Sequence, residues 1–145
     1  MPTPYPDISL SNPSAEPRNT RHRARAFDHL LLMFAQERNA PPLRRWLWLE
    51  AAHVLGQPSM ALHWRSHTTM LRYAIQQRDL GEVQGQLLRL ALVPLGHWLS
   101  RLPAGNVGRA YVSAFRPMAP DPALQALIGE ALQATAVAAD TSQNR

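Results

Sequence analysis

The sequence contains no cysteine, and this absence excludes several kinds of function. Without thiols the chain can form no disulfide, no thiolate metal site and no cysteine nucleophile. Any metal ion would have to bind through histidine, aspartate, glutamate or main-chain oxygen. The chain also lacks a run of about 18 apolar residues, so the sequence predicts no membrane-spanning helix. An apolar signal-peptide core is missing before Arg25 as well, and we therefore expect a cytoplasmic protein.

Lysine is absent too, so all 15 basic residues are arginine, and they give a net charge of +5 against 10 acidic residues. A basic chain invites a nucleic-acid interpretation, because cationic side chains release counterions from phosphate. The arginines are spread along the sequence, however, and no recognition helix or base-stacking motif accompanies them. We expect the charge to affect solubility more than the choice of partner, and nucleic-acid binding ranks last among the functions considered.

The chain divides into three parts by composition. Residues 1–19 contain five prolines among small polar side chains, a composition typical of a flexible arm because it buries little apolar area. Residues 20–138 show helical periodicity and, at this length, predict one domain with its own core. Residues 139–145 predict a disordered tail.

Apolar spacing and capping residues predict five helices in residues 20–138. Four of them are joined by short turns, which favours an all-α fold built as a four-helix antiparallel bundle. A long irregular crossing at Pro103–Pro120 then leads to a short C-terminal helix. Within this crossing, the turn at Gly105–Arg109 lacks the lysine and hydroxyl of a phosphate loop and is interpreted as a packing turn. The predicted helices are Thr20–Asn39, Pro42–Leu55, Met60–Arg78, Glu82–Leu102 and a fifth that begins at Pro122 and includes Leu132.

Polar residues occupy the apolar faces of the second and third helices. Glu50 and His53 share the stripe that contains Leu43, Trp46 and Leu47, because residues three, four and seven apart project from one side of a helix. His63 and His67 are i, i+4 neighbours on the stripe that contains Met60, Trp64 and Met70. Antiparallel packing of the two helices would bring one carboxylate and three imidazoles together.

Burying these four groups without partners would cost several kcal/mol for a charge and roughly 1 to 3 kcal/mol for each neutral polar group. A divalent transition metal, with zinc or iron as first choices, would satisfy Glu50, His53, His63 and His67 together. Glu37, Glu82 and Gln86 are candidate extra ligands or acceptors for the ligand rings. His97 is interpreted as a capping or surface group.

The alternative to a metal site is a hydrogen-bonded network that fixes the register of the helices. In that case Arg65 or Arg72 would neutralise Glu50, and the protein would be a metal-free protein–protein interaction module. Its partner would be another protein or a second copy of the chain. No substrate, general base or specificity element can be named from the sequence, so catalysis is left open.

Several short motifs also resemble those of one bacterial sequence family. They read WLWLEAAHVLGQ at 46–57, RDLGEVQGQ at 78–86, LPAGNVG at 102–108 and VSAFRPM at 112–118, together with His63, His67 and the triplet MLR at 70–72. These stretches are similar to the family known as domain of unknown function 3703, over about Arg25 to Leu127. The resemblance implies no activity, but its motif includes Glu50, His53, His63 and His67. Val107 departs from the threonine more usual there.

Overall fold

A computed structural model of the chain describes residues 16–99, 105–114, 118–119 and 121–143, and most of the predicted arm at 1–19 lies outside them. All regular structure in these residues is helical, which confirms the predicted all-α class. None of the described helices is both long enough and apolar enough to cross a membrane. The helices are α1 Glu16–Gln36, α2 Pro42–Gly56, α3 Met60–Gln76, α4 Leu80–Trp98 and α5 Pro122–Gln143.

The last helix differs most from the sequence prediction. With 22 residues, α5 is not the short C-terminal helix that was expected, and its backbone continues through Gln143, inside the segment predicted as a disordered tail. No glycine or proline follows Gly129, and the alanine-rich sequence after it has high helix propensity, so nothing ends the helix earlier. The ring of His22 on α1 also hydrogen-bonds the Leu132 carbonyl at 2.8 Å and joins the two helices.

Capping residues explain the short connections between α2, α3 and α4. Ser59 accepts a hydrogen bond from the Leu62 amide at the start of α3, and Asp79 accepts one from the Glu82 amide at the start of α4 at 3.0 Å. Each cap satisfies a backbone donor that the first helical turn leaves unpaired. The chain therefore reverses within a few residues, and consecutive helices pack side by side.

The second helix lies at the centre of the fold. It packs against α1, α3 and α5, while α3 packs against both α2 and α4, contacts that are consistent with the predicted antiparallel bundle. One apolar cluster joins α1, α2 and α5 around Phe27 and Leu30, and a second joins α2 and α3 around Leu49 and Tyr73. The central position explains why even the polar residues of α2 are buried.

Some residues predicted to face inward are instead exposed. Leu43 and Met60 lie in the first turns of α2 and α3, beyond the reach of the neighbouring helices, and both are more than half exposed. Trp64 is also exposed, and Trp98 near the end of α4 is 81% exposed. Helical periodicity identifies residues that share a face, but it does not tell which turns of that face another element covers.

Candidate metal centre

Three of the four predicted ligands meet inside the fold. His53 comes from α2, and His63 and His67 come from successive turns of α3. All three side chains are buried, and a nitrogen of each ring lies within 4.8 Å of a nitrogen of the others. The i, i+4 spacing on α3 and the packing of α2 against α3 therefore produce the cluster that the sequence predicted.

Two of the separations between ring nitrogens suit ligands of a single metal ion. Nε2 of His67 lies 3.2 Å from Nε2 of His53 and 3.2 Å from Nε2 of His63. Ligand nitrogens bound to zinc at about 2.05 Å are separated by about 3.3 Å in a tetrahedron and by about 2.9 Å at adjacent corners of an octahedron. The two observed separations are closer to the tetrahedral value.

Hydrogen bonds around Gln86 determine which nitrogen of His67 carries a proton. The Gln86 amide nitrogen donates to Glu82 Oε1 at 2.7 Å and to the Gly108 carbonyl at 2.8 Å, so its carbonyl oxygen must face the ring. That oxygen lies 2.7 Å from Nδ1 of His67, which therefore donates. Neutral His67 then has its lone pair on Nε2, directed towards His53 and His63. Gln86, predicted as an extra ligand or acceptor, thus acts as an acceptor that orients one ring of the cluster.

Glu50 does not belong to the histidine cluster. Its Oε1 accepts a hydrogen bond from Nη1 of Arg109 at 3.1 Å, and the metal-capable group among the described residues consists of three histidines only. Burial raises the pKa of Glu50, while Arg109 opposes that rise. Of the four predicted ligands, the structure therefore brings only the three histidines together, and a guanidinium already satisfies the Glu50 carboxylate. Neither Arg65 nor Arg72, the partners considered from the sequence, makes this contact.

Arg109 binds a second buried carboxylate as well. Its Nε lies 3.0 Å from Glu82 Oε2, and its guanidinium lies over the ring of Trp46, 3.7 Å from the centroid. The Ala110 amide adds hydrogen bonds to both oxygens of Glu82. A continuous chain of polar contacts thus connects His67 through Gln86, Glu82 and Arg109 to Glu50. Glu37 is remote from this chain and binds Arg44 and Trp48.

His97 supports the cluster from the other side. Its Nε2 lies 3.2 Å from Nδ1 of His63, the ring nitrogen that does not face His67. The sequence predicted a capping or surface role for His97, but the packing of α4 on α3 directs this half-buried ring to His63. The contact makes His97 a neighbour of one ring of the cluster, and His97 is not part of the metal-capable group.

Burial keeps the three imidazoles uncharged. Desolvation lowers the pKa of His63 to about 3 and that of His67 to about 4. For His53, desolvation and then the neighbouring rings of His67 and His63 lower the pKa well below its usual value. Neutral imidazole is the form that binds a metal ion, so the cluster needs to lose no proton near pH 7.

A loop at 105–114 closes the site and is packed against the helices, as the packing interpretation of its turn predicted. Gly108 has a φ of +80°, and a Cβ there would lie 2.9 Å from three atoms of the His53 ring. Asn106 Oδ1 accepts a hydrogen bond from the Gly108 amide at 2.9 Å. Arg89 donates to the carbonyls of Arg109 and Val112 and holds the loop against α4. Glycine is required at 108 both by backbone conformation and by the close approach of the ring.

A cavity of about 280 Å³ opens beside the histidines. All three rings contribute to its wall, so a metal ion bound by them would have an open position on this side. Its other residues come mainly from the second half of α4 and from the 105–114 loop: Gln57, Arg89, Leu92, Val93, Leu95, Gly96, Leu99, Asn106, Gly108 and Ala114.

The roles of two arginines could not be predicted from the sequence, and the role of the loop could be predicted only in part. Arg89 is buried and the side chain of Arg109 is only 12% exposed, although arginine is usually exposed. Their partners are long-range carboxylates and carbonyls, which no local spacing reveals. The sequence signal for an unusual loop backbone was the presence of Gly105 and Gly108, since both adopt positive φ.

The fold and the site together define an all-α protein with a buried three-histidine cluster. A sequence family described as Protein of unknown function (DUF3703) matches residues 21–128, well over half of the chain. The chain therefore belongs to this family, as its motifs predicted. No curated protein matches the chain, and no solved structure matches it.

Proposed function

We propose that the protein binds one divalent transition metal ion through His53, His63 and His67 and leaves a fourth coordination position open. The observation that carries the proposal is the arrangement around Nε2 of His67, where two further ring nitrogens lie at 3.2 Å. A single lone pair can accept only one good hydrogen bond, so a network without metal leaves one of these contacts poorly satisfied. One ion at the centre satisfies all three nitrogens.

The surroundings of the cluster also favour a metal. Metal-binding histidines commonly donate their second ring N–H to a carbonyl or carboxylate, which fixes the tautomer and the ring orientation. Gln86 accepts this hydrogen bond from His67, and Nε2 of His97 lies 3.2 Å from Nδ1 of His63, where it could accept one from a metal-bound His63. His63 and His67 would thus each be held by the metal at Nε2 and by a neighbouring side chain at Nδ1.

The ligand set favours zinc over iron. Three histidines with an open position are typical of catalytic zinc, whereas non-haem iron commonly binds two histidines and one carboxylate. The nearest candidate carboxylate, Glu50, is bound by Arg109. An open position would allow the ion to bind and activate a small molecule, including water.

Metal analysis of the purified chain tests the proposal. We expect one zinc ion per chain by mass spectrometry, with a zinc–nitrogen distance near 2.05 Å by X-ray absorption. His63→Ala and His67→Ala should each lose the ion, whereas His29→Ala, a histidine of α1 outside the cluster, should retain it. Absence of bound metal after reconstitution with zinc, iron, nickel or copper would contradict the proposal.

The competing function is a metal-free protein–protein interaction module. It is favoured by the network from Gln86 to Glu50, which is satisfied by protein groups alone, and by the exposed Trp98. This function predicts a melting temperature that neither zinc nor chelator changes. If the chain binds zinc, a free zinc concentration of about 100 times the Kd should stabilise the folded state by about 2.7 kcal/mol. Thermal melts with and without zinc therefore separate the two functions.

A further inference from the structure

We propose that the open coordination position binds the anionic group of a small, mainly apolar molecule, of which a short-chain carboxylate is the simplest example. The inference rests on the proposed metal site and specifies the ligand class of that site. It depends on two features of the cavity, namely its charge once a metal is present and the apolar character of its wall.

The charge of the site is balanced before a metal binds. The carboxylates of Glu50 and Glu82 both contact the guanidinium of Arg109, and the buried guanidinium of Arg89, which contacts neither carboxylate, supplies the second positive charge. The three imidazoles are neutral. A divalent ion would therefore add two positive charges that no protein ligand offsets, in a region where unpaired charge is costly. An anion in the fourth position reduces this excess.

Arg89 adds to the attraction for an anion. Its guanidinium is held by the main-chain carbonyls of Gly85, Arg109 and Val112, and no ion pair involves it among the residues that the structure describes. It also lines the cavity together with the histidines. One cavity wall thus contains both a positively charged residue and the three histidines of the proposed metal site.

The rest of the wall favours hydrocarbon. Leu92, Val93 and Leu95 of α4 and Leu99, which directly follows α4, also line the cavity. With about 30 Å³ for each water-sized group, a volume of about 280 Å³ accommodates roughly nine such groups. A carboxylate with about four to six further carbons fits this space with its charged end at the metal. Chloride or acetate would leave the apolar part unfilled.

Cobalt(II)-loaded protein provides the test, because the visible absorption of cobalt reports both its geometry and its ligands. Sodium hexanoate should shift the absorption band with saturation, and it should bind at least tenfold more tightly than acetate, since each buried methylene contributes about fourfold in affinity. The uncharged 1-hexanol should leave the band unchanged. Leu95→Trp, which narrows the cavity, should weaken hexanoate binding at least tenfold while cobalt affinity stays the same. Leu87→Trp, an exposed site on α4 outside the cavity, should bind hexanoate as the unaltered chain does.

The outcomes separate this inference from the metal proposal. If no tetrahedral cobalt band forms, the metal proposal fails and this inference fails with it. If the band forms but responds equally to acetate and hexanoate, the metal proposal stands and the apolar specificity is wrong. If hexanol displaces hexanoate at equal concentration and returns the band to its position without hexanoate, the cavity binds apolar chains without using the metal, and the inference is wrong.

Discussion

Replacing Gly108 by alanine should damage the His53 side of the site by a predictable amount. At a φ of +80°, a non-glycine residue costs roughly 1 to 2 kcal/mol. The new Cβ would also lie 2.9 Å from three atoms of the His53 ring, contacts that real structures do not show. Overpacking of this kind costs typically 1 to 3 kcal/mol. We therefore expect the free energy of unfolding to fall by about 2 to 5 kcal/mol.

Urea denaturation followed by circular dichroism measures this change as a lower midpoint with an unchanged slope. Gly129→Ala is the matched control, because Gly129 lies within α5 and a Cβ there has no neighbour within 4 Å. That substitution should stabilise the chain by about 0.5 to 1 kcal/mol, since alanine has the higher helix propensity. Zinc affinity should fall in Gly108→Ala only, because His53 is displaced. Equal stability and equal zinc affinity in the two variants would refute the described contact between the loop and the ring.

Three further predictions concern the polar groups around the cluster. Gln86→Leu should lower zinc affinity about 10- to 100-fold in chelator competition, since His67 loses the acceptor that orients it; unchanged affinity would contradict this role. Arg109→Leu should destabilise the chain by about 3 to 5 kcal/mol in urea, because Glu50 and Glu82 lose their cationic partner, and an unchanged midpoint would show that the pairs contribute nothing. Without metal, stability should decrease as the pH falls from about 6.5 to 4, because the unfolded chain binds a proton that His67, with its pKa lowered to about 4, does not. The loss from His67 should reach at most about 3 kcal/mol, and urea midpoints that are constant over this range would contradict it.

Local sequence rules predicted the helical part of the fold well. Pro42 at the start of α2 and Ser59 before α3 act within one turn of their own positions, so their effects are visible in the sequence. Asp79 was instead assigned to a break before a helix starting at Glu82, whereas it caps α4, which begins at Leu80. The length of α5 was missed because the absence of a stop signal is weaker information than its presence.

The three histidines were predictable for a similar reason. His63 and His67 are joined by helical spacing, and His53 is brought to them by the short turn between α2 and α3. Glu50 shares the buried part of α2, but its partner depends on Arg109, which is 59 residues away in the chain. Helical periodicity predicts the direction in which Glu50 projects. Its contact with Arg109 depends on the position of the folded loop, which periodicity does not predict.

The Gln86 side chain links the histidine cluster to the 105–114 loop, so movement of the loop would affect the cluster. Its one amide group touches the His67 ring, the Glu82 carboxylate and the Gly108 carbonyl at the same time. Displacement of the loop would remove one of the two acceptors that keep the amide from rotating, and a rotated amide would present N–H groups to a ring nitrogen that is itself a donor. Coordination strength and loop position are thereby coupled through a single rotatable bond, so slow exchange of the Gly108 and Ala110 amides with deuterated solvent should accompany a tightly held ion.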